Sequence, residues 1–339
     1  MSFCKSCAGW GLAALLLVSA ACTQAVARES CTFKRDPAYW AKTPVSAARS
    51  GEISFATQNL YRYFDDENDR GERDVLTPAQ FAARTQRLAR YIARDLGAPA
   101  VLALQEIEDD TALAALAAAV GRETGRPYRA LMGEVSGGSD IRNALLFDAR
   151  LRVRPQASLF ARTPRAGKPL HDRLPLVADI DTGSGATVTV VVVHMKSLRG
   201  IGKGGDGRVA DKRRYQAKEL AAWTRAQVAK GRRLIVLGDF NATAVDSDAT
   251  RAEPLQILMR DGALDDPAAQ FLKPTQRWTY VYGCELNELD HVLVSPALLP
   301  AVSGYAIARG DSCIRAKEKC SPERSVSDHD GVVLKLRNP

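Results

Sequence analysis

Leu234-Ile235-Val236-Leu237-Gly238-Asp239-Phe240-Asn241 sets an uninterrupted apolar run against a turn that carries an acid and an amide. A short apolar run of this kind suits a strand covered on both faces. The Gly-Asp-x-Asn chemistry that follows ends the strand in a turn. Residues 187–193, Thr-Val-Thr-Val-Val-Val-Val, repeat the pattern with almost pure β-branching and end on His194. Working outward, residues 53–57, 101–104, 143–147, 279–282, 291–295 and 332–336 also read as strands. Helices are expected over residues 77–96, opened by Thr77-Pro78 in N-cap and first-turn positions, over 111–124 and over 212–230. Residues 133–139 have loop chemistry. Alternating strands and helices without a Pro- or Ser-rich linker or a repeat make one α/β domain, with helices outside sheets.

The 339 residues, 46% hydrophobic and 25% charged, are enough for a sizeable core. Residues 1–27 stand apart from it. Lys5 precedes the apolar run 11–18, and Ala25-Val26-Ala27 supplies the small residues of a signal-peptide cleavage site. The run is too short for a spanning helix, which needs roughly 20 residues. A second reading of the same segment is lipidation at Cys22 after Ala20-Ala21, weakened by Ser19, with membrane contact only in that case. The expected organisation is a signal peptide at 1–27, an N-terminal arm at 28–50 and a catalytic domain at 51–339, secreted or periplasmic. Cleavage leaves Cys31, Cys284, Cys313 and Cys320, which suit two disulfides in an oxidising compartment. Of the possible connectivities, Cys313 with Cys320 and Cys31 with Cys284 is favoured; a zinc site is the competing use, but no histidine stands near at ligand spacing.

Polar residues follow or precede these apolar strands wherever a core would not want them. Asn59, Glu106, His194, Asp239 and Asn241 follow strands; Asp290, Asp328 and His329 precede them. One such residue is an ordinary turn cap. Several converging on one sheet edge make a site, because each costs free energy unless paired. The residue types fit phosphodiester hydrolysis, which needs a cation, a positioned water and donors for the developing charge. Glu106 and Asp328 are ligands for a hard ion such as Mg²⁺, with Mn²⁺ or Ca²⁺ as alternatives. Asp239 orients or deprotonates water, Asn59 and Asn241 hold phosphate or the nucleophile, and His329 contacts the phosphate with Asp290 favouring its protonated form. Strand alternation turns His291 away from Asp290, to pack behind the site, and His171 belongs to no motif.

Thr57-Gln58-Asn59-Leu60, Leu104-Gln105-Glu106-Ile107, Val193-His194-Met195-Lys196-Ser197, Gly238-Asp239-Phe240-Asn241, Leu289-Asp290-His291-Val292 and Ser327-Asp328-His329 occur in the order seen in the endonuclease/exonuclease/phosphatase superfamily. The chain resembles that superfamily over about residues 51–337, and its motifs are most similar to those of extracellular bacterial nucleases. The resemblance implies a two-sheet β-sandwich flanked by helices on both outer faces, with Mg²⁺ or a similar ion where the strand ends meet. It makes Glu106 a metal ligand, Asp328 a second metal-side acid, Asp239 and Asn241 the water- and phosphate-positioning pair, and Asp290 and His329 a carboxylate–histidine pair. Asn59 matches the asparagine that ends the first strand. His194 matches the second catalytic histidine of the deoxyribonuclease branch, and Asp140, ahead of Glu134, is the candidate carboxylate to orient it. Arg142 and Lys196 are candidate phosphate contacts.

A net charge of +8 favours attraction to a polyanion. The Gly-rich segment 200–207 with Lys203, Arg208, Lys212, Arg213 and Arg214 is a candidate clamp on a nucleic-acid backbone. No stable protein partner is implied. A lipid phosphodiesterase of the sphingomyelinase type is the enzymatic alternative, but only 6% of residues are aromatic and no apolar hairpin is evident. A non-catalytic binding module with the same fold is expected to lose Glu106, Asp239 or His329, and all are kept.

Overall fold

The computed structural model describes residues 41–68, 75–136, 139–165, 167–183, 185–201, 207–244, 249–282, 285–309, 326–337 and 339. The leader, Cys22, the four cysteines proposed to pair, and Lys203 lie outside them. The elements run β1 Glu52–Tyr63, α1 Pro78–Arg94, β2 Val101–Ile107, α2 Asp110–Thr124, β3 Tyr128–Met132, β4 Arg142–Asp148, β5 Arg152–Pro155, β6 Pro164–Arg165 and β7 Lys168–Pro169. They continue with β8 Leu176–Asp181, β9 Thr187–His194, α3 Gly207–Ala229, β10 Arg233–Asp239, α4 Ala249–Arg260, α5 Ala268–Phe271, β11 Tyr280–Tyr282, β12 Glu285–Asn287, β13 Asp290–Val294, β14 Val302–Ala308 and β15 Gly331–Arg337.

Two sheets form from these strands, in the orders β14-β15-β1-β2-β4-β3 and β13-β10-β9-β8-β5. Side-chain alternation decides which residues meet between them. Phe55, Val101, Ala103, Leu145 and Phe147 of the first sheet pack against Ala178, Val188, Val190, Val192, Ile235, Leu237 and Val292 of the second. The intervening residues point outward. Leu60, Leu102, Leu104 and Leu146 receive Leu88 and Ile92 of α1 and Leu113 and Leu116 of α2. Val191, Val193, Leu234 and Val236 receive Leu220 of α3 and Leu255 and Leu258 of α4. The result is the expected two-sheet sandwich with helices on both outer faces, and it explains why β9 and β10 carry no polar alternation: both faces are covered.

Local signals place the helices as read. Thr77 caps α1 in a capping box with Gln80, and Pro78 stands at the helix start. Asp109 caps α2, and left-handed Gly125 ends it. Helix α3 starts earlier than expected, at Gly207. Strands β3, β5, β8 and β14 and helix α4 are additions to the sequence reading. Among the described residues no helix is long and apolar enough to cross a membrane. The described part of the arm lies on the body: Thr43 bridges Arg309, and the Val45 amide donates to the Asp95 carbonyl at 2.7 Å.

Parallel pairing of β1 with β2 and of β9 with β10 brings the C-terminal ends of four strands to one edge of the sandwich. Antiparallel β13 begins at that edge, with Asp290 opposite Asp239. Gly238 makes the edge possible. Its φ is +144°, and a Cβ there would lie 2.0 Å from the Val193 carbonyl oxygen. Gly238→Ala must displace β9 backbone, so it is expected to lower stability by about 1–3 kcal/mol, read as a fall in the thermal unfolding midpoint.

Candidate active site

Asn59 stands at the centre. Its Nδ2 donates to Glu106 Oε1 and to Asp239 Oδ2, each at 3.2 Å, while its Oδ1 accepts the Tyr61 amide at 2.9 Å. One amide thus spans from β2 of the first sheet to β10 of the second. Glu106 reaches inward because it is the extra residue of a β-bulge: Gln105 pairs with Asn143 and Ile107 with Arg142, leaving Glu106 between them at φ +65°. Tyr61, Arg62 and Asn241 are also left-handed, at φ 51°, 52° and 49°. Such non-glycine conformations cost of order 1 kcal/mol or more each and persist where surrounding structure holds them.

Arginines hold Tyr61, Arg62 and Asn241 in place, and another holds the end of β9. Arg84 of α1, 2% exposed, donates to the carbonyls of Leu60, Tyr61 and Arg62 at 2.6–2.9 Å. Burial pushes its pKa down to about 10, still cationic at neutral pH. Arg213 of α3 donates to the carbonyls of Lys196 and Asn241, both at 2.6 Å. Arg173 donates to the carbonyl of Met195 at 3.1 Å and to that of His194 at 3.4 Å. Buried carbonyls released from a sheet need donors, and a guanidinium supplies several in fixed geometry.

The second sheet brings the acid and histidines. Asp239 takes the Asn241 amide on Oδ1 at 2.8 Å, and burial pushes its pKa up to about 7, with Asp290 and Glu106 adding to burial and His329 opposing it. His194 Nε2 lies 3.4 Å from Asp239 and 3.9 Å from Glu106. Burial, then the Arg173, His329 and Lys196 charges, hold its pKa well below the usual value, so it is neutral. Asp290 is fully buried; its Oδ2 accepts from His329 Nδ1 and from the Thr279 hydroxyl, both at 2.7 Å. Burial opposes a proton on His329, but Asp290 with Asp328 and Asp239 outweighs it, and the pKa stands well above 6.5. The imidazolium Nε2 faces Asp328 at 3.9 Å. Burial pushes the Asp328 carboxyl up to about 6, with His329 opposing and Glu106 adding to the rise.

The geometry therefore gathers Asn59, Glu106, His194, Asp239, Asn241, Asp290, Asp328 and His329 at one edge. Asp140 is different. Its Oδ2 pairs with Arg62 at 3.1 Å, because the left-handed backbone of β1 carries Arg62 to that side, and His194 Nδ1 is buried without a hydrogen-bond partner. Arg142 stands opposite Ile107 beside the bulge, its Nε buried and unpartnered. Lys196 is half-buried with Nζ 3.2 Å from the Ser197 hydroxyl, its pKa lowered by burial and by Arg173. The basic clamp shrinks. Arg213 is turned inward on carbonyls, Lys212 pairs with Asp172 at 2.9 Å and Arg214 with Glu253 at 2.8 Å. Arg208 remains exposed on the first turn of α3.

Behind the site, His291 Nε2 meets the Ala242 carbonyl at 2.7 Å and its ring packs edge-on against Phe240, as strand alternation requires. His171 stacks on Phe160, and burial pushes its pKa down to about 3. Asp266, Glu288 and His291 bring potential ligand atoms within 4.8 Å of one another, but the Arg277 guanidinium pairs with both carboxylates, at 2.9 Å to Glu288. That cluster is a buried salt bridge. Glu106 and Asp328 differ: among the described residues each has only a histidine Nε2, at 3.9 Å, within ion-pair range. Two acids with no arginine or lysine partner among the described residues, in a half-buried cleft, fit a hard divalent ion. Sequence reasoning missed Thr279, Arg84 and Arg173. An arginine inside the amphipathic face of α1 is the one signal that pointed to any of them.

A site of buried acids, amides and a carboxylate-held imidazolium at the strand ends of a four-layer sandwich defines a phosphodiesterase-type hydrolase fold. The family model described as Endonuclease/Exonuclease/phosphatase family matches residues 56–329, and the chain belongs to that family. No curated protein matches the chain. Among solved structures it is similar to truncated TDP2 from Caenorhabditis elegans, at 16% identity and TM-score 0.55 over 85% of this chain and 98% of that one. It is also similar to the human Nocturnin catalytic domain with bound sulfate anion, at 17% identity and TM-score 0.53 over 87% and 96%. Similarity to D. rerio TDP2 complexed with single strand DNA product is 18% identity and TM-score 0.52 over 84% and 98%.

Asp290→Asn removes the charge that keeps His329 protonated. The His329 pKa, followed by NMR of the ring, is expected to fall, so that the imidazolium is lost as pH rises through a lower value than in the parent protein.

Proposed function

We propose that the protein is an exported, divalent-metal-dependent phosphodiesterase that hydrolyses nucleic acid. The observation that carries the reading is the meeting of acids that lack an arginine or lysine partner among the described residues, Glu106 and Asp328, with the protonated His329 held by Asp290, and with Asn59 joining Glu106 to Asp239. A Mg²⁺ ion on Glu106 and Asp328 would supply charge neutralisation at the phosphoryl oxygens; Mn²⁺ and Ca²⁺ have the same ligand chemistry. The chain's own groups account for the rest. Asp239, with its pKa near 7 and its carboxylate held by Asn59, takes the proton of a water that the Asn241 amide orients. That water's oxygen attacks phosphorus in line with the departing oxygen, whose bond to phosphorus breaks as the new one forms and which takes up a proton from solvent to leave as an alcohol. His329 offers Nε2–H to the charge growing on the phosphoryl group, since Nδ1 is engaged by Asp290. Neutral His194 donates a hydrogen bond to the phosphate without adding charge.

Nucleic acid is favoured as substrate by the net charge of +8, by Lys196 two residues after His194, by Arg208 exposed on the first turn of α3, and by the D. rerio protein's complex with a single strand DNA product. Export follows from the leader chemistry of residues 1–27. With Mg²⁺, the purified protein is expected to cleave plasmid DNA or oligonucleotides, and chelator to abolish cleavage. Asp239→Asn and His329→Ala should each lower kcat by about 10²- to 10⁴-fold. Failure to hydrolyse any phosphodiester with Mg²⁺, Mn²⁺ or Ca²⁺ present overturns the reading. In binding measurements, Lys196→Ala and Arg208→Ala should each reduce the slope of log affinity against log salt by about 1.

A further inference from the structure

The hairpin of β11 and β12 lies beside the histidine and is not used by the chemistry above. Tyr280 bridges His329 through the backbone, and the two rings stand 4.8 Å apart at 39°. Residues 280 and 282 share one face of the short strand, so Tyr282 continues outward from Tyr280. Tyr282 is 71% exposed, against 37–39% for the other exposed large hydrophobics, Val75, Tyr215 and Phe271. Burial, then Asp328, raises the Tyr280 phenol to about 12, with smaller contributions from Tyr282, Asp239 and Tyr61. The rings therefore form a row leading from the acids to solvent.

The neighbours leave that row open to an anionic strand. Glu285, opposite Tyr282 in the hairpin, is drawn to Arg251 at 3.2 Å, and Arg251 also holds Asn287. Trp278 takes no part: it is buried beneath the Arg309 guanidinium, 3.6 Å from the ring centroid. An aromatic ring exposed at the mouth of a phosphate-binding cleft has a flat apolar face next to the place where a sugar and base would leave the phosphate. Bases inside a duplex are stacked on one another and reach such a ring only by unpairing. Unpaired bases reach it freely, and any base has a face to offer.

We propose that Tyr280 and Tyr282 form a stacking lip for an unpaired base next to the phosphate being cleaved, which makes a single-stranded nucleic acid the preferred substrate. The proposal rests on the nuclease reading above and adds the strandedness of the substrate. The partner is a nucleobase rather than a lipid, because the lip abuts the histidine that faces the phosphate and lies beside paired charges, not an apolar patch.

The test compares a thymidine oligonucleotide with an abasic tetrahydrofuran oligonucleotide of equal length, with Mg²⁺, in the parent protein, Tyr282→Ala and Tyr282→Phe. The ratio of kcat/KM for the thymidine strand over the abasic strand is expected to be about 5 to 100 in the parent protein. It should fall toward one in Tyr282→Ala, mainly through KM, and survive in Tyr282→Phe. Equal rates on the two strands in the parent protein, or a ratio unchanged by Tyr282→Ala, overturn the lip and leave the nuclease reading standing. Cleavage of neither strand overturns the nuclease reading itself. Co-sedimentation with phosphatidylcholine–sphingomyelin vesicles that Tyr282→Ala abolishes would assign the ring to a membrane surface and overturn the proposal.

Discussion

The structure depends on keeping two sheets in register while acids meet across their ends. Glu106 belongs to one sheet and Asp239 to the other, and both are drawn to the same Asn59 amide. Two carboxylates in a cleft repel each other, so their approach must be imposed by something stronger than their own preference. The apolar layer between the sheets imposes it. Phe55, Val101, Val190 and Leu237 lock there as close-packed side chains, and the strand ends follow wherever that packing puts them.

Backbone strain and buried arginine are two sides of one solution. A strand that stays regular turns alternate residues toward covered faces, where an acid has no place. The bulge at Glu106 and the left-handed residues of β1 and the Asn241 turn break that regularity and turn polar groups toward one another along the edge. Carbonyls released by the break still need donors. Arg84 enters from the helical layer on one side and Arg213 from the layer on the other, so each outer layer contributes a cation to the same edge. These charges are structural, and the count of basic residues around segment 200–214 overstates what a substrate would feel.

The strands and their polar ends were legible in the sequence because burial on both faces leaves an unmistakable apolar run at residues 188–193 and 234–237, and because Asp and His have no reason to border such runs in a core. The order of motifs then located Glu106, Asp239, Asp290 and His329 together. Less regular elements were not legible. Strand β8 ends on Asp179 and Asp181, whose acids are tied to Arg232 and to a turn, which blurs its alternation. Thr279 supports Asp290 through a hydroxyl that no periodicity marks. Asp140 was placed by its position ahead of β4, and the contact it makes depends on the left-handed course of β1, which sequence does not display.

The edge is also closed by the last strand. Ser327 Oγ donates to the Asn59 carbonyl across 268 residues of chain, and Gln58 Nε2 donates to the His329 carbonyl at 3.0 Å. The first and last strands of the first sheet thus complete the centre between them. A chain that lacks its final segment holds Glu106, Asp239 and Asp290 without Asp328 and without the imidazolium that faces them. The centre is in this sense a report on the pairing of the first and last strands of that sheet: it is complete only when both are in place.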